Sequence, residues 1–200
     1  DCSRFSEEGF PFDMQLDPIY EDFPVHTHDF TELVVITRGW ATHQIDNEAY
    51  EIQAGDVYLL NRRVEHGFTH VHNLGLCNIM FQPEKLLLPM FDLRQIEGFH
   101  SFFVFEPYFR KTHKFRNKLR LDQERLKSVT EYIDEMYTEF TRKPGGFRNR
   151  IVFLLNDLII YLSRKYHQQC TEPVGEIGKL SSVITHMEKN YLTQIRLEEL

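Results

Sequence analysis

Between residues 10 and 83 the apolar positions fall in short runs, Leu33 to Ile36, Val57 to Leu60 and Leu76 to Phe81, separated by turn-forming residues. Runs of that length and spacing predict the strands of a small antiparallel β-architecture. Trp40 to Ile45 alternates in polarity and is followed by Asp46-Asn47 and then Tyr50-Glu51-Ile52, the pattern of a hairpin. After Asp122, a predicted N-cap, the period changes: Leu126, Val129, Ile133, Met136, Tyr137 and Phe140 recur every three or four residues and predict one long amphipathic helix. Lys143-Pro-Gly-Gly146 turns the chain, and Ile151, Leu154, Leu155, Leu158, Ile159 and Leu162 predict a second helix packed antiparallel to the first. The stripe is richer than one partner helix covers. Either the barrel takes the remainder or a second copy does, which makes Ile133, Met136, Tyr137, Phe140, Leu155, Leu158 and Leu162 candidates for dimerisation.

Residues 84–118 are irregular and aromatic, with Phe99, Phe102, Phe103, Phe105, Tyr108 and Phe109. They predict either a cover for an open barrel mouth or core at the junction of barrel and helices. The N-terminal stretch Cys2 to Leu16, with Phe5, Phe10, Phe12 and Met14, reads either as an arm that docks on the barrel or as its first strand. The fold class is therefore α+β, a barrel followed by a helical hairpin. The predicted units are 1–118 (barrel with N-terminal arm), 119–167 (hairpin), 168–178 (a linker containing Pro173 and Gly175) and 179–200. In the last, Leu180, Ile184, Met187 and Tyr191 continue a stripe begun at Ile177.

Composition narrows the function classes. With 42% hydrophobic and 14% aromatic residues the chain can fill a core, and a formal net charge of −7 argues against a general nucleic-acid binder. Cys2, Cys77 and Cys170 are few and far apart, which suits a reducing compartment better than a disulfide framework. No run approaches the ~18 apolar residues of a membrane helix, and the N-terminus lacks a signal core, so the chain is expected to be cytoplasmic with no membrane partner. The start at Asp1 and the stop inside an apolar pattern at Leu200 suggest a piece of a longer protein.

The candidate chemistry lies in His26-Thr-His28-Asp-Phe-Thr-Glu32, with Gly39, Gly55-Asp56 and His66 downstream. On one unbroken strand His26, His28 and Glu32 share a face. Imidazoles and a carboxylate can ligate Zn, Ni, Mn or Fe, giving a candidate metal set of His26, His28, Glu32 and His66; the same groups can instead line a polar pocket. A sugar needs bidentate polar groups and an aromatic platform, and Trp40, His43, Gln44, Tyr58, Asn61 and Asn78 lie on predicted strands or their ends. Trp40, directly after Gly39, fits an exposed turn equally well. Arg38 and Asp56 read as structural partners at strand ends, and His70 and His72 as lying outside the site.

The spacings H-x-H-x3-E-x6-G and G-x5-N-x4-H resemble the two cupin motifs, although Asn61, Arg63 and His70 stand where cupins often have Pro, Gly and Asn. The order of Pro24-x-His26-x-His28, Glu32-Leu, Arg38-Gly39, hairpin, linker and then Asn190-Tyr191 leading to Ile195-x-Leu197-x-x-Leu200 resembles the AraC/XylS family of transcriptional regulators. The Glu32-Leu-Val-Val and Arg38-Gly39 stretch is similar to the rhamnose-operon activators. That resemblance implies a cupin barrel binding a small effector, often a monosaccharide, helices that make a homodimer, and residues 179–200 as the truncated start of a helix-turn-helix domain. Promoter DNA is then met through the full-length protein, not through this stretch. The rival is a metal-dependent cupin enzyme acting on a small sugar or organic acid. The C-terminal third argues against it, because a self-sufficient barrel enzyme needs neither hairpin nor linker.

Overall fold

A computed structural model of the chain describes residues 5, 9–46, 48–86, 88–105, 118–169 and 176–192. Seven strands form one antiparallel sheet: β1 (Phe12–Ile19), β2 (Phe23–His26), β3 (Thr31–Ile45), β4 (Glu48–Gln53), β5 (Asp56–Leu60), β6 (His66–Phe81) and β7 (Leu119–Arg120). Their order is β1-β6-β3-β5-β7, with β2 added to β6 and β4 added to β3. The long strands β3 and β6 pair with each other and change outer partners midway. β3 meets β5 at Glu32 to Val35 and β4 at Trp40 to Ile45. β6 meets β2 near its start and β1 over Leu74 to Phe81.

The change of partners is made where the β3–β6 ladder slips, between Ile36 and Thr42. Gly39 sits in that stretch with φ of 70°, and a Cβ there would lie 2.2 Å from the Asn73 carbonyl oxygen. Only glycine supplies both the left-handed backbone and the close approach that bends the sheet. Asp46 makes the β3–β4 turn with φ of 50°, as the hairpin pattern requires; Asn47 lies outside the described residues.

Alternation along the strands feeds two cores. Val34, Ile36, Tyr58, Leu60, Phe68 and Leu76 face the barrel interior. Leu33, Val35, Val57, Leu59, Cys77 and Ile79 face the other way, onto the helices. Cys77 is fully buried, and burial pushes its thiol pKa upward, so it is an inert core residue; Cys2 and Cys170 lie outside the described residues.

Four helices and one π-helical turn complete the fold among the described residues: α1 (Met90–Arg94), the π turn His100–Phe105, α2 (Gln123–Arg142), α3 (Phe147–Gln169) and α4 (Glu176–Lys189). Asp122 caps α2, its side chain accepting from the Arg125 N–H at 2.9 Å, and Lys143 ends it in the left-handed conformation. The predicted hairpin begins later than expected, since Leu119 and Arg120 are strand β7. That strand is held by Asp56, which is fully buried and accepts from Lys118 Nζ and Arg120 Nε, each at 2.7 Å, and from the Gln53 N–H.

The helical stripe is consumed within the chain. Ile133, Met136, Leu155, Leu158 and Leu162 are buried in the core shared with the sheet, which corrects their assignment to a dimer face. The sheet's outer face is wide enough to take what α2 and α3 cannot cover in each other. Phe140 is half-buried against Phe12, and Tyr137 stays 39% exposed. Phe99 and Phe102 also enter this core, so the aromatic segment serves the junction; Tyr108 and Phe109 lie outside the described residues. The N-terminal arm resolves into strand β1 from Phe12 onward, with Phe10 packed edge-on against Phe147.

Helix α4 docks on α1 and the π turn by polar contacts. Glu188 accepts from His100 Nε2 at 2.7 Å and lies 3.7 Å from Arg94, while Phe91 meets Tyr191 edge to face. Ser181 and Thr185 form its buried side; Leu180, Met187 and Tyr191 remain exposed. Of the linker and the final segment, residues 170–175 and 193–200 lie outside the described residues. No helix among the described residues is long and apolar enough to cross a membrane.

Replacing Gly39 by Ala should destabilise the fold by on the order of 2 kcal/mol or more, because left-handed strain adds to a backbone collision. A urea midpoint equal to wild type would show that the bend is made elsewhere.

Candidate functional site

The site lies at the end of the barrel where β2 leaves β6. The strand carrying His26 does not continue to Glu32: β2 stops at His26, residues 27–30 form an irregular link, and β3 starts at Thr31. The side chains converge even so, because β2 and β3 both pair with β6, and His66 stands opposite His26 at the start of that strand.

His28, Glu32 and His66 are buried, and one ligand atom from each lies within 4.8 Å of the others. Glu32 Oε2 is 3.2 Å from His28 Nε2 and 3.4 Å from His66 Nε2. On the far side of each ring Nδ1 faces a backbone carbonyl, Phe30 O at 2.8 Å from His28 and Val64 O at 3.3 Å from His66. A carbonyl oxygen only accepts, so both protons belong on Nδ1. A neutral ring then turns its Nε2 lone pair toward the carboxylate, and acceptor faces acceptor. A cation placed between these groups would relieve that opposition. Burial pushes the Glu32 pKa up, but hydrogen bonding and charge from His28 and His66 outweigh it and bring it to about 2.

This donor set, two imidazole nitrogens and one carboxylate, fits a divalent transition ion. Three of the four residues expected to hold a metal form this close set. His26 stands beside the cluster with its ring 4.2 Å from that of His66 and its Nδ1 3.1 Å from Pro24 O, but it is not one of the three. Burial and the neighbouring His66 lower its pKa.

Next to the cluster is a cavity of about 450 Å³. Its walls include His26, His28, Glu32, His66 and Asn78 from the predicted ligand residues. Five others do not line it. Trp40 is 48% exposed and stacks on His72 with ring centroids 4.1 Å apart, because the slip in β3 turns it outward. His43 and Tyr58 point inward but lie fully buried beneath the cavity, where His43 stacks on Phe68 and tilts against Tyr58. Gln44 has the opposite parity to His43, and Asn61 follows the end of β5. The lining residues missed include Gln15, Asp17, Phe23, Thr27, Phe30, Phe68 and Met80. The alternation Phe12, Met14, Leu16 against Asp13, Gln15, Asp17 carried the signal for two of them.

Residues 16–136 match the family model described as AraC-like ligand binding domain. The protein named HTH-type transcriptional activator RhaR from Mannheimia succiniciproducens is 26% identical over 199 residues, which cover 98% of this chain and 66% of that protein. The protein of the same name from Escherichia coli O139:H28 is 25% identical over 178 residues, 88% of this chain and 59% of its own length. The chain thus spans about three fifths to two thirds of the length of these curated relatives. Among solved structures, a cupin-like protein from Thermotoga maritima is 21% identical with a TM-score of 0.36, covering 40% of this chain and 65% of that one.

A carboxylate whose pKa is lowered by folding contributes stability that is present above its unfolded value and lost as pH falls toward its folded value. Wild type should therefore lose on the order of 2 kcal/mol relative to Glu32→Gln as pH drops from 4.5 toward 2. Parallel urea midpoints for the two proteins across that window would refute the lowered value.

Proposed function

The chain belongs to the family of AraC-like ligand-binding domains, and from that premise we propose that it is the effector-sensing and dimerising region of a transcriptional regulator controlling carbohydrate-utilisation genes. The effector is a monosaccharide held in the barrel cavity. The observation that carries this is the cavity's mixed lining, in which amides, carboxylates and imidazoles are combined with Phe23, Phe30 and Phe68, the mixture a sugar ring with polar edges and an apolar face requires. The relatives named as transcriptional activators support a regulatory rather than a catalytic role. If a Zn, Ni, Mn or Fe ion is bound, His28, Glu32 and His66 would hold it, and it would offer positive charge and open coordination positions to effector oxygens.

DNA is contacted through a helix-turn-helix domain that α4 introduces. The exposed apolar residues Leu180, Met187 and Tyr191 on and after that helix support this, since such a stripe suits cover by further chain of the same domain. Dimerisation uses the outer face of α3, where Phe153 is 63% exposed and Ile160, two turns on, is partly buried.

Two measurements test this reading. A thermal-melt panel of neutral monosaccharides, with and without chelator, should give a raised midpoint for one sugar by mass action. No shift for any sugar sinks the sensor reading, and a shift abolished by chelator assigns the ion a part in binding. In sedimentation, wild type should run as a dimer and Phe153→Glu as a monomer with little change in melting midpoint; a monomeric wild type, or a dimer unaffected by the substitution, sinks the α3 interface.

A further inference from the structure

Resting on the effector-sensor reading, we infer that the β1–β6 end of the cavity, through Gln15, Asp17 and Asn78, selects an uncharged, hydroxyl-rich effector and rejects the carboxylated or phosphorylated form of the same molecule. Gln15 and Asn78 are direct cross-strand partners, and Asp17 is two residues along β1 on the same face. Their side chains therefore form one polar row along the cavity wall.

The row is rich in acceptors. Asn78 Oδ1 is buried with no hydrogen-bond partner among the described residues. An amide oxygen left without a donor inside a protein is costly, and turning the Asn78 side chain toward a ligand hydroxyl in the cavity would remove that cost. Gln15 can both give and accept, as a hydroxyl does. Asp17 stands at the exposed end of the row, and no cation pairs with it among the described residues.

The charge inventory decides the effector class. Among the described residues the cavity is lined by two carboxylates, Asp17 and Glu32, and by no lysine or arginine. Carboxylates and phosphates are recognised chiefly by the guanidinium fork or the ammonium group. Among the described lining residues, the imidazoles of His28 and His66 are already turned toward Glu32. With no ion at His28, Glu32 and His66, an anionic effector would thus meet Asp17 at the entrance and no lysine or arginine among the described residues inside, whereas the hydroxyls of a neutral sugar meet acceptors.

The test uses the purified chain in metal-free buffer, titrated with the neutral monosaccharide that shifts its melting midpoint most, with the matching uronic acid and with the sugar phosphate. The acid and the phosphate should bind about tenfold or more weakly than the neutral sugar. Asp17→Asn should narrow that gap at least about threefold. Asn78→Leu should weaken the neutral sugar about tenfold while keeping the wild-type melting midpoint or raising it, because it removes the unpaired acceptor together with the binding group. Gln15→Leu provides a second variant should Asn78→Leu fail to fold, with the same expected loss. Equal binding of acid or phosphate, an unchanged gap in Asp17→Asn, or unchanged sugar affinity in the leucine variants overturns the inference and leaves the sensor reading in place. If no sugar of any charge binds, both fall together.

Discussion

Over Thr31 to Ile36 of β3 and Leu74 to Phe81 of β6 the sheet is covered on both faces, and this constraint organises the molecule. A strand between two buried surfaces must satisfy them with alternate residues, so a one-residue slip would exchange the whole set. Leu33 and Val35 go to the helices while Glu32, Val34 and Ile36 go to the barrel, and β6 answers with Cys77 and Ile79 outward against Leu76, Asn78 and Met80 inward. The hairpin of α2 and α3 is therefore not an appendage on a finished barrel. It closes the sheet's second face, and the barrel and hairpin share one core.

A shared core places the cavity close to the helical hairpin. β1 presents Gln15 and Asp17 to the cavity and Phe12 and Met14 to the opposite side, where Phe12 meets Phe140 of α2. Any shift of β1 toward a ligand is felt at that ring contact, because packed interiors transmit displacement rather than absorb it. Farther out, α4 is held by Glu188 against His100 and Arg94, contacts that charge and hydration can loosen more easily than an apolar interface.

The Glu32 cluster obeys a related rule. Burying a carboxylate is expensive, and it persists here because two imidazoles are aimed at it by backbone carbonyls on their far sides. The stacking of His28 on Phe30, rings 4.2 Å apart and nearly parallel, fixes one of them further. The same orientation that compensates Glu32 sets each ring in the tautomer a metal requires, which is why one geometry serves a polar pocket and a metal centre alike.

By itself the sequence determined the β-then-α order, the turns at Asp46 and Lys143, the cap at Asp122 and the family, because periodicity, turn chemistry and motif spacing are local properties of the chain. It also named His28, Glu32 and His66, though the reason it offered, a single unbroken strand, was not the one that brings them together. Tertiary structure decided what depends on register and on competition for surface. The slip around Gly39 turned Trp40 out to His72, and depth in the barrel left His43 and Tyr58 beneath the cavity rather than in its wall. The sheet's outer face absorbed Ile133, Met136, Leu155, Leu158 and Leu162, residues whose helical stripe could not say whether its partner was another part of the same chain or a second copy. Gln15 and Asp17 entered the site only once β1 paired with β6, since alternation marks two faces of a strand without saying which of them meets a cavity.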